Sequence, residues 1–336
     1  MNIKAFPKEN KVLEKNILEQ INPNNESRYV NLYTDNEYDE LNFGVFKKLF
    51  FKNKSEDEFN LFKKKYAMVM NGDGHERKRI LQSNSSALLG LLMFYNVERN
   101  NLKININGTD ITFDESYFEW KNPVYNRPSN MDIVLYSNES NVLLFVESKF
   151  LEYIRDVSIM SNKISSEYLN REYSKDIYNS IFDNNVYLKN IDTENNKDFT
   201  MSSLDNKYHY IDGIKQVISH TIGIINFIKS FKDKNLHNDY QNINKEINFN
   251  KFDDSTLVYF TEILYLNNEI KDNLSYVDFE KEYCKIMSII NNLIEKENFK
   301  SKFELLPIIN YLEIYEKNIS AINESVIEFY FSRKNK

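Results

Sequence analysis

Apolar positions along the chain follow two periods, about 3.6 residues and two, and the stretches ruled by each predict its elements. Over residues 8–21, Val12, Leu13, Ile17 and Ile21 fall on one side of a short helix. Over 40–69, Phe43, Phe46, Leu49, Phe50, Phe59, Phe62 and Tyr66 recur at helical spacing, which predicts an amphipathic helical pair with solvated lysines. Gly72-Asp73-Gly74 breaks that pattern. A helix is expected from His75 to about Tyr95, kinked at Ser83-Asn84-Ser85-Ser86. Strands are predicted at 103–107, 111–118, 131–136 and 142–149. A polar helical stretch follows over 156–190, then a loop at 190–198, a strong helix over 210–232 and an apolar strand at 257–266. A helix over 277–296 and a mixed tail from Phe303 complete the chain. Helices alternating with strands in this order predict an α/β fold with a mixed central sheet flanked by helices. No repeat or sharp composition break marks a second domain. The expected organisation is a core over 72–270 with a helical insertion at about 156–205. An N-terminal helical extension covers 1–71, and a helical or mixed extension over 271–336 packs on the core.

Composition agrees with a folded globular chain. It holds 23 Tyr and 24 Phe against only 7 Gly and 5 Pro, the reverse of a disordered or repetitive sequence. The excess of Asn, Lys and Ile is read as coding bias and given no functional weight. Cys284 is the single cysteine, which excludes an internal disulfide and any multi-cysteine zinc site. His75, His209, His220 and His237 show no metal-ligand spacing. Charges run through residues 1–20, and the apolar run 218–231 is broken by Ser219, His220, Asn226 and Lys229, so neither a leader nor a membrane span is expected. A cytoplasmic protein is the expectation. Net charge is −7, which argues against a module that binds nucleic acid by bulk attraction. It leaves room for an enzyme whose metal and local basic patches supply the positive charge.

The chemistry concentrates between Asp132 and Lys149. Met131 to Tyr136 is a strand with an acid near its start, and Ser137-Asn138-Glu139-Ser140-Asn141 is a polar turn. Val142 to Val146 is apolar on both faces, as in a covered central strand, yet it ends Glu147-Ser148-Lys149. Period two puts Glu147 and Lys149 on one face. If Ser137 pairs with Val142, Asp132 falls opposite Glu147; a shift of one residue flips that relation, and the sequence leaves the register open. Two carboxylates suit a hard cation such as Mg²⁺, and a lysine beside them can orient or deprotonate a water. The pattern [DE]-x-K alone is uninformative, since it also starts at Glu9, Glu76, Glu119, Asp205 and Glu269. Only the Glu147 copy closes an uninterrupted apolar strand after an acid-bearing one. The competing reading is a partly buried ion pair at a strand end, a weak stabiliser.

At these residues the chain resembles the PD-(D/E)xK nuclease superfamily, the restriction-endonuclease-like fold. The match is Asp132, fourteen residues, then Glu147-Ser148-Lys149. Met131 stands where the family has Pro, with Pro128 slightly upstream. The element order fits the family's αβββαβ core over roughly 72–266. Gly72-Asp73-Gly74-His75-Glu76 is similar to the Gly-x-Gly-x-Glu stretch of a group of bacterial restriction-endonuclease-like proteins. The resemblance implies a Mg²⁺-dependent endonuclease hydrolysing DNA phosphodiesters, with Mn²⁺ as substitute, of restriction or defence type; RNA is left open as substrate. It makes Asp132, Glu147 and Glu76 metal ligands, Lys149 the water-orienting residue, and Gln216 a support on the helix after the Glu-x-Lys strand. Glu76 reads equally well as a helix-start acid, and His220 as a packing residue. Lys63-Lys64-Lys65 and Arg77-Lys78-Arg79 read as solvated surface more readily than as phosphate contacts, and Trp120 as core. A homodimer or a defence-system partner would suit this class. The rival reading is a nuclease-like fold retired from catalysis and used as a nucleic-acid-binding or assembly subunit.

Overall fold

The computed structural model describes residues 35–71, 77, 80, 85–123, 128–150, 163–164, 188–193, 196–201, 211–296, 302–326 and 330. The expected helix at 8–21 and the Gly72–Glu76 segment lie outside them. Helices α1 (Asp35–Leu49) and α2 (Glu56–Met70) are the pair that the aromatic spacing predicts. Ser55 begins α2: its Oγ accepts the Glu58 N–H, and Glu56, Asp57 and Glu58 sit at the positive end of the helix. The rings interlock, Phe51 on Phe62 at 4.8 Å and Phe46 on Phe62 at 5.2 Å, so this end of the protein is held by aromatic area.

Helix α3 spans Ser86–Phe94. The serine cluster expected to kink a longer helix starts this one instead, because the Ser85 Oγ accepts the Leu88 N–H. After a short turn of helix, α4 (Val97–Asn100), the strands β1 (Leu102–Ile106) and β2 (Thr109–Phe113) form a hairpin. Asn107 (φ 51°) and Gly108 (φ 85°) supply the two left-handed residues of its turn. The strand expected at 111–118 is therefore two. A break at Asp114 separates β2 from β3 (Glu115–Pro123), which enters the main sheet.

The main sheet has the order β10 (Phe303–Leu305), β9 (Leu257–Leu264), β5 (Val142–Lys149), β4 (Pro128–Ser137), β3. The strands β3, β4 (Pro128–Ser137) and β5 (Val142–Lys149) make an antiparallel meander. The chain returns through α5 (Ile211–Ser230) and α6 (Lys234–Ile243) to β9 (Leu257–Leu264), which lies parallel beside β5. Every residue of β5 is buried, as its apolar run predicted for a central strand. Two glycines allow the helices to close on the sheet. A Cβ on Gly90 of α3 would stand 2.7 Å from Ile133 Cδ1, and one on Gly223 of α5 would stand 2.6 Å from Asn122 Cβ. Trp120 is core, edge-on to Phe145 and Phe227 at 5.6 Å each.

Between β5 and α5 the sequence suggested helix and loop, but the described residues there are strands. β6 (Lys163–Ile164), β7 (Leu188–Thr193) and β8 (Asn196–Met201) form a separate antiparallel sheet. Composition misled, because ladder hydrogen bonds come from the backbone and tolerate Asn- and Asp-rich strands. Beyond α7 (Asn268–Lys271) and α8 (Leu274–Lys296), the tail does more than pack on the core. β10 (Phe303–Leu305) and β11 (Ile309–Asn310) both pair in parallel with β9 and extend the sheet, before α9 (Tyr311–Lys317) and α10 (Glu324–Val326). Among the described residues no helix is long and apolar enough to cross a membrane.

Candidate active site

The register left open by the sequence is the one that pairs Ser137 with Val142. It runs to Ile133 opposite Val146, which brings Asp132 and Glu147 to the same end of neighbouring strands. Regular pairing stops there. The Asp132 Oδ2 accepts the Ser148 N–H at 2.8 Å, so this carboxylate takes the place of the next ladder bond. The other side of β4 is interrupted at the same level: Phe118 pairs with Ile133 and Trp120 with Met131, while Glu119 between them has φ 51°. A non-glycine residue in that region costs on the order of 1–3 kcal/mol, and such strain gathers at functional sites. The strain sits on the strand beside Asp132.

Glu147 and Lys149 share a face, as period two required. Lys149 Nζ donates to Glu147 Oε1 at 2.5 Å, and the two residues are 6 % and 1 % exposed. Burial alone would raise the Glu147 pKa. The ammonium of Lys149, and after it the imidazole of His220, outweigh burial and hold it at about 2. The carboxylate is therefore ionised inside the fold.

His220 is the residue whose role the sequence missed. It was read as a packing side chain, but α5 turns it onto the site, with Nε2 3.0 Å from Glu147 Oε2. Its Nδ1 is hydrogen-bonded to Ser129 Oγ on β4, and its ring stands edge-on to Phe260 of β9 at 5.8 Å. Ser129 is itself buried and serves as the anchor of the ring. Gln216, the expected support one turn earlier on α5, is partly buried and is not among the contacts of Glu147. Glu262 was also overlooked: it is fully buried on β9 and lies directly beside Glu147 in the parallel ladder. The signal was present in Leu257–Leu266, where one carboxylate interrupts an apolar strand. Glu76, the third expected ligand, lies outside the described residues.

Of the described residues in the two basic runs, Lys64 is exposed, as expected of solvated surface, and the other three have partners away from the site. Lys65 is buried, bound to Glu98 and to the Ser116 carbonyl, which corrects its reading as solvated. Lys63 lies over the Phe59 ring at 4.6 Å, and Arg77 pairs with Asp35 and Asp39 at 3.1 Å.

Among the described residues, no three His, Cys, Asp or Glu side chains form a group able to hold a metal. The donor set nonetheless suits a cation bound in part by water or substrate. Asp132 and Glu147 offer hard oxygens from adjacent strands, and the buried Glu147 Oε2 has no aligned hydrogen bond. Compared with protein-family models, with curated proteins and with solved structures, the chain has no significant match to any of them.

Proposed function

We propose that the chain is a divalent-metal-dependent nuclease with a restriction-endonuclease-like core, acting on DNA phosphodiesters at Asp132, Glu147 and Lys149. One observation carries the reading. The Asp-bearing strand and the Glu-x-Lys strand pair so that Asp132 and Glu147 lie at the same sheet end, with Lys149 bonded to Glu147, in the element order α3, β3–β4–β5, α5, β9. That is the helix, three strands, helix, strand order of the core, with the β1–β2 hairpin added after its first helix.

Asp132 and Glu147 would hold the ion, which supplies polarisation of the phosphoryl group and lowers the pKa of water. Glu147 arrives already ionised, so no proton has to be expelled when a cation binds. Lys149 is held by Glu147, and its ammonium would orient the attacking water and offset the charge that develops on the phosphoryl oxygens. Glu119, strained beside Asp132, would keep the β4 strand open at the level of the carboxylate.

Burial favours a second reading, a retired core used as a nucleic-acid-binding or assembly subunit. Glu147 and Lys149 are closed off, and each already has a partner of opposite charge. Incubating the full chain with plasmid, linear duplex and RNA in Mg²⁺, Mn²⁺, Ca²⁺ and EDTA separates the two. The nuclease reading expects cleavage in Mg²⁺ or Mn²⁺ and none in Ca²⁺ or EDTA. Binding of nucleic acid without cleavage in any metal would support the retired core.

A further inference from the structure

The contact between Glu147 and His220 is unlike an ordinary buried ion pair. Glu147 is 1 % and His220 3 % exposed. Their facing atoms, Oε2 and Nε2, stand 3.0 Å apart, yet neither has an aligned hydrogen bond to the other or to any neighbour. A buried polar atom left in that state costs about 1–3 kcal/mol. Facing each other on rigid elements of the core, within ion-pair reach but out of alignment, both would be satisfied by one shared body beside them.

The spacing identifies that body. Oxygen and nitrogen ligands at about 2.1 Å from one ion, in neighbouring positions at a right angle, are separated by about 3 Å. The ring is also fixed as a ligand's would be. Nδ1 is bonded to Ser129 Oγ, the outer partner that sets a histidine's orientation and directs its other nitrogen inward. Once an ion is bound, Nδ1–H would donate to that oxygen and Nε2 would give its lone pair to the ion.

From this geometry we infer that Glu147 Oε2 and His220 Nε2 are joint ligands of one divalent ion, an inference resting on the metal-dependent reading of this site. Beside Asp132, the other carboxylate of the proposed site, the remaining positions belong to water or to phosphate oxygens. A mixed carboxylate–imidazole pair takes first-row transition ions in preference to Mg²⁺, which keeps to oxygen ligands. The physiological ion is thus of the Mn²⁺, Fe²⁺ or Zn²⁺ kind, with Mg²⁺ a weak substitute.

Mn²⁺ binding to the purified full chain, followed by electron paramagnetic resonance, tests this without any turnover. Bound Mn²⁺ should show the electron-spin-echo modulation of a directly coordinated imidazole nitrogen, and Mg²⁺ should displace it poorly. The chain has three other histidines. The triple variant His75→Gln, His209→Gln, His237→Gln should keep the modulation, which assigns it to His220 without altering that residue. His220→Gln should remove the modulation and weaken Mn²⁺ binding at least about 10-fold, with Mg²⁺ binding little changed. Bound Mn²⁺ without nitrogen modulation, or a modulation lost in the triple variant, overturns the inference and leaves His220 as an ion-pair partner only. The nuclease reading survives that outcome if Glu147→Gln still abolishes binding. Wild-type chain that binds neither Mn²⁺ nor Mg²⁺ overturns both.

Discussion

Lys65 and Lys149 are each 6 % exposed, and each donates to one glutamate. Around Lys65 the requirements are met locally. Its ammonium reaches Glu98, whose side chain is a third exposed, and the Ser116 carbonyl at 2.5 Å. Water can share the charge of Glu98. Burial lowers the Lys65 pKa and Glu98 opposes the shift. Around Lys149 the glutamate is sealed, and its second oxygen faces a histidine nitrogen out of alignment. One lysine joins α2 to β3. The other belongs to an arrangement in which Glu147 Oε2 and His220 Nε2 lack an aligned partner, the observation on which the proposed ligand site rests.

The widest separation between the two should come from substitution. Lys149→Ala should lower the cleavage rate by about 10²–10⁴, the usual worth of a positioned proton-transfer group. Lys65→Ala strands Glu98 and the Ser116 carbonyl, and should cost a few kcal/mol of stability, below the roughly 3–5 kcal/mol of a sealed pair. Its cleavage rate per folded molecule should match wild type. Urea unfolding and single-turnover cleavage on both variants check this, and equal rate losses in the two would break the contrast.

Acid sharpens it. Glu147 titrates at about 2 in the fold against 4.5 for an ordinary glutamate, so the folded state binds its proton less readily than the unfolded chain. Its contribution to stability is fully present above pH 4.5 and is lost as pH falls toward 2. The stability gap between wild type and Glu147→Gln should be constant above pH 4.5 and narrow below it. A gap that stays the same down to pH 2 would show that the Glu147 charge is not what Lys149 and His220 hold.

The smallest effect concerns the frame. Asn244 accepts the Lys121 N–H at 2.9 Å and donates to the Lys121 carbonyl at 2.8 Å, standing in for a strand beside the edge strand β3. Asn318 does the same for Lys103, Asn310 for Leu266 and Asn291 for Leu305. Asn244→Ala should cost about 1–3 kcal/mol in urea unfolding by leaving buried backbone groups unpaired, with metal binding unchanged.

Those asparagines mark a limit of sequence reading. Their abundance looks like coding bias, because the pairing that gives each amide its use joins residues far apart in the chain. The helical pair of α1 and α2, the strands β4 and β5 and the helix α5 were legible, since each carries its own apolar period. Register at Asp132 was legible only as a choice between two. His220 was hidden because an apolar helix face and one that meets a buried carboxylate look alike until the sheet beneath is known, and the strain at Glu119 leaves no trace in residue type. Glu262 was visible as a lone charge in an apolar strand and was passed over for want of a motif.

Asp132→Asn tests the central claim most directly. The amide keeps an oxygen to accept the Ser148 N–H and removes only the charge, and Asp132 is partly exposed, so the fold should tolerate it. The measurement is the single-turnover rate of plasmid cleavage at saturating Mn²⁺. A loss of about 10²-fold or more, with the unfolding midpoint near wild type, is the result expected of a metal-holding carboxylate. Cleavage at the wild-type rate would contradict the assignment of this sheet end as the active site.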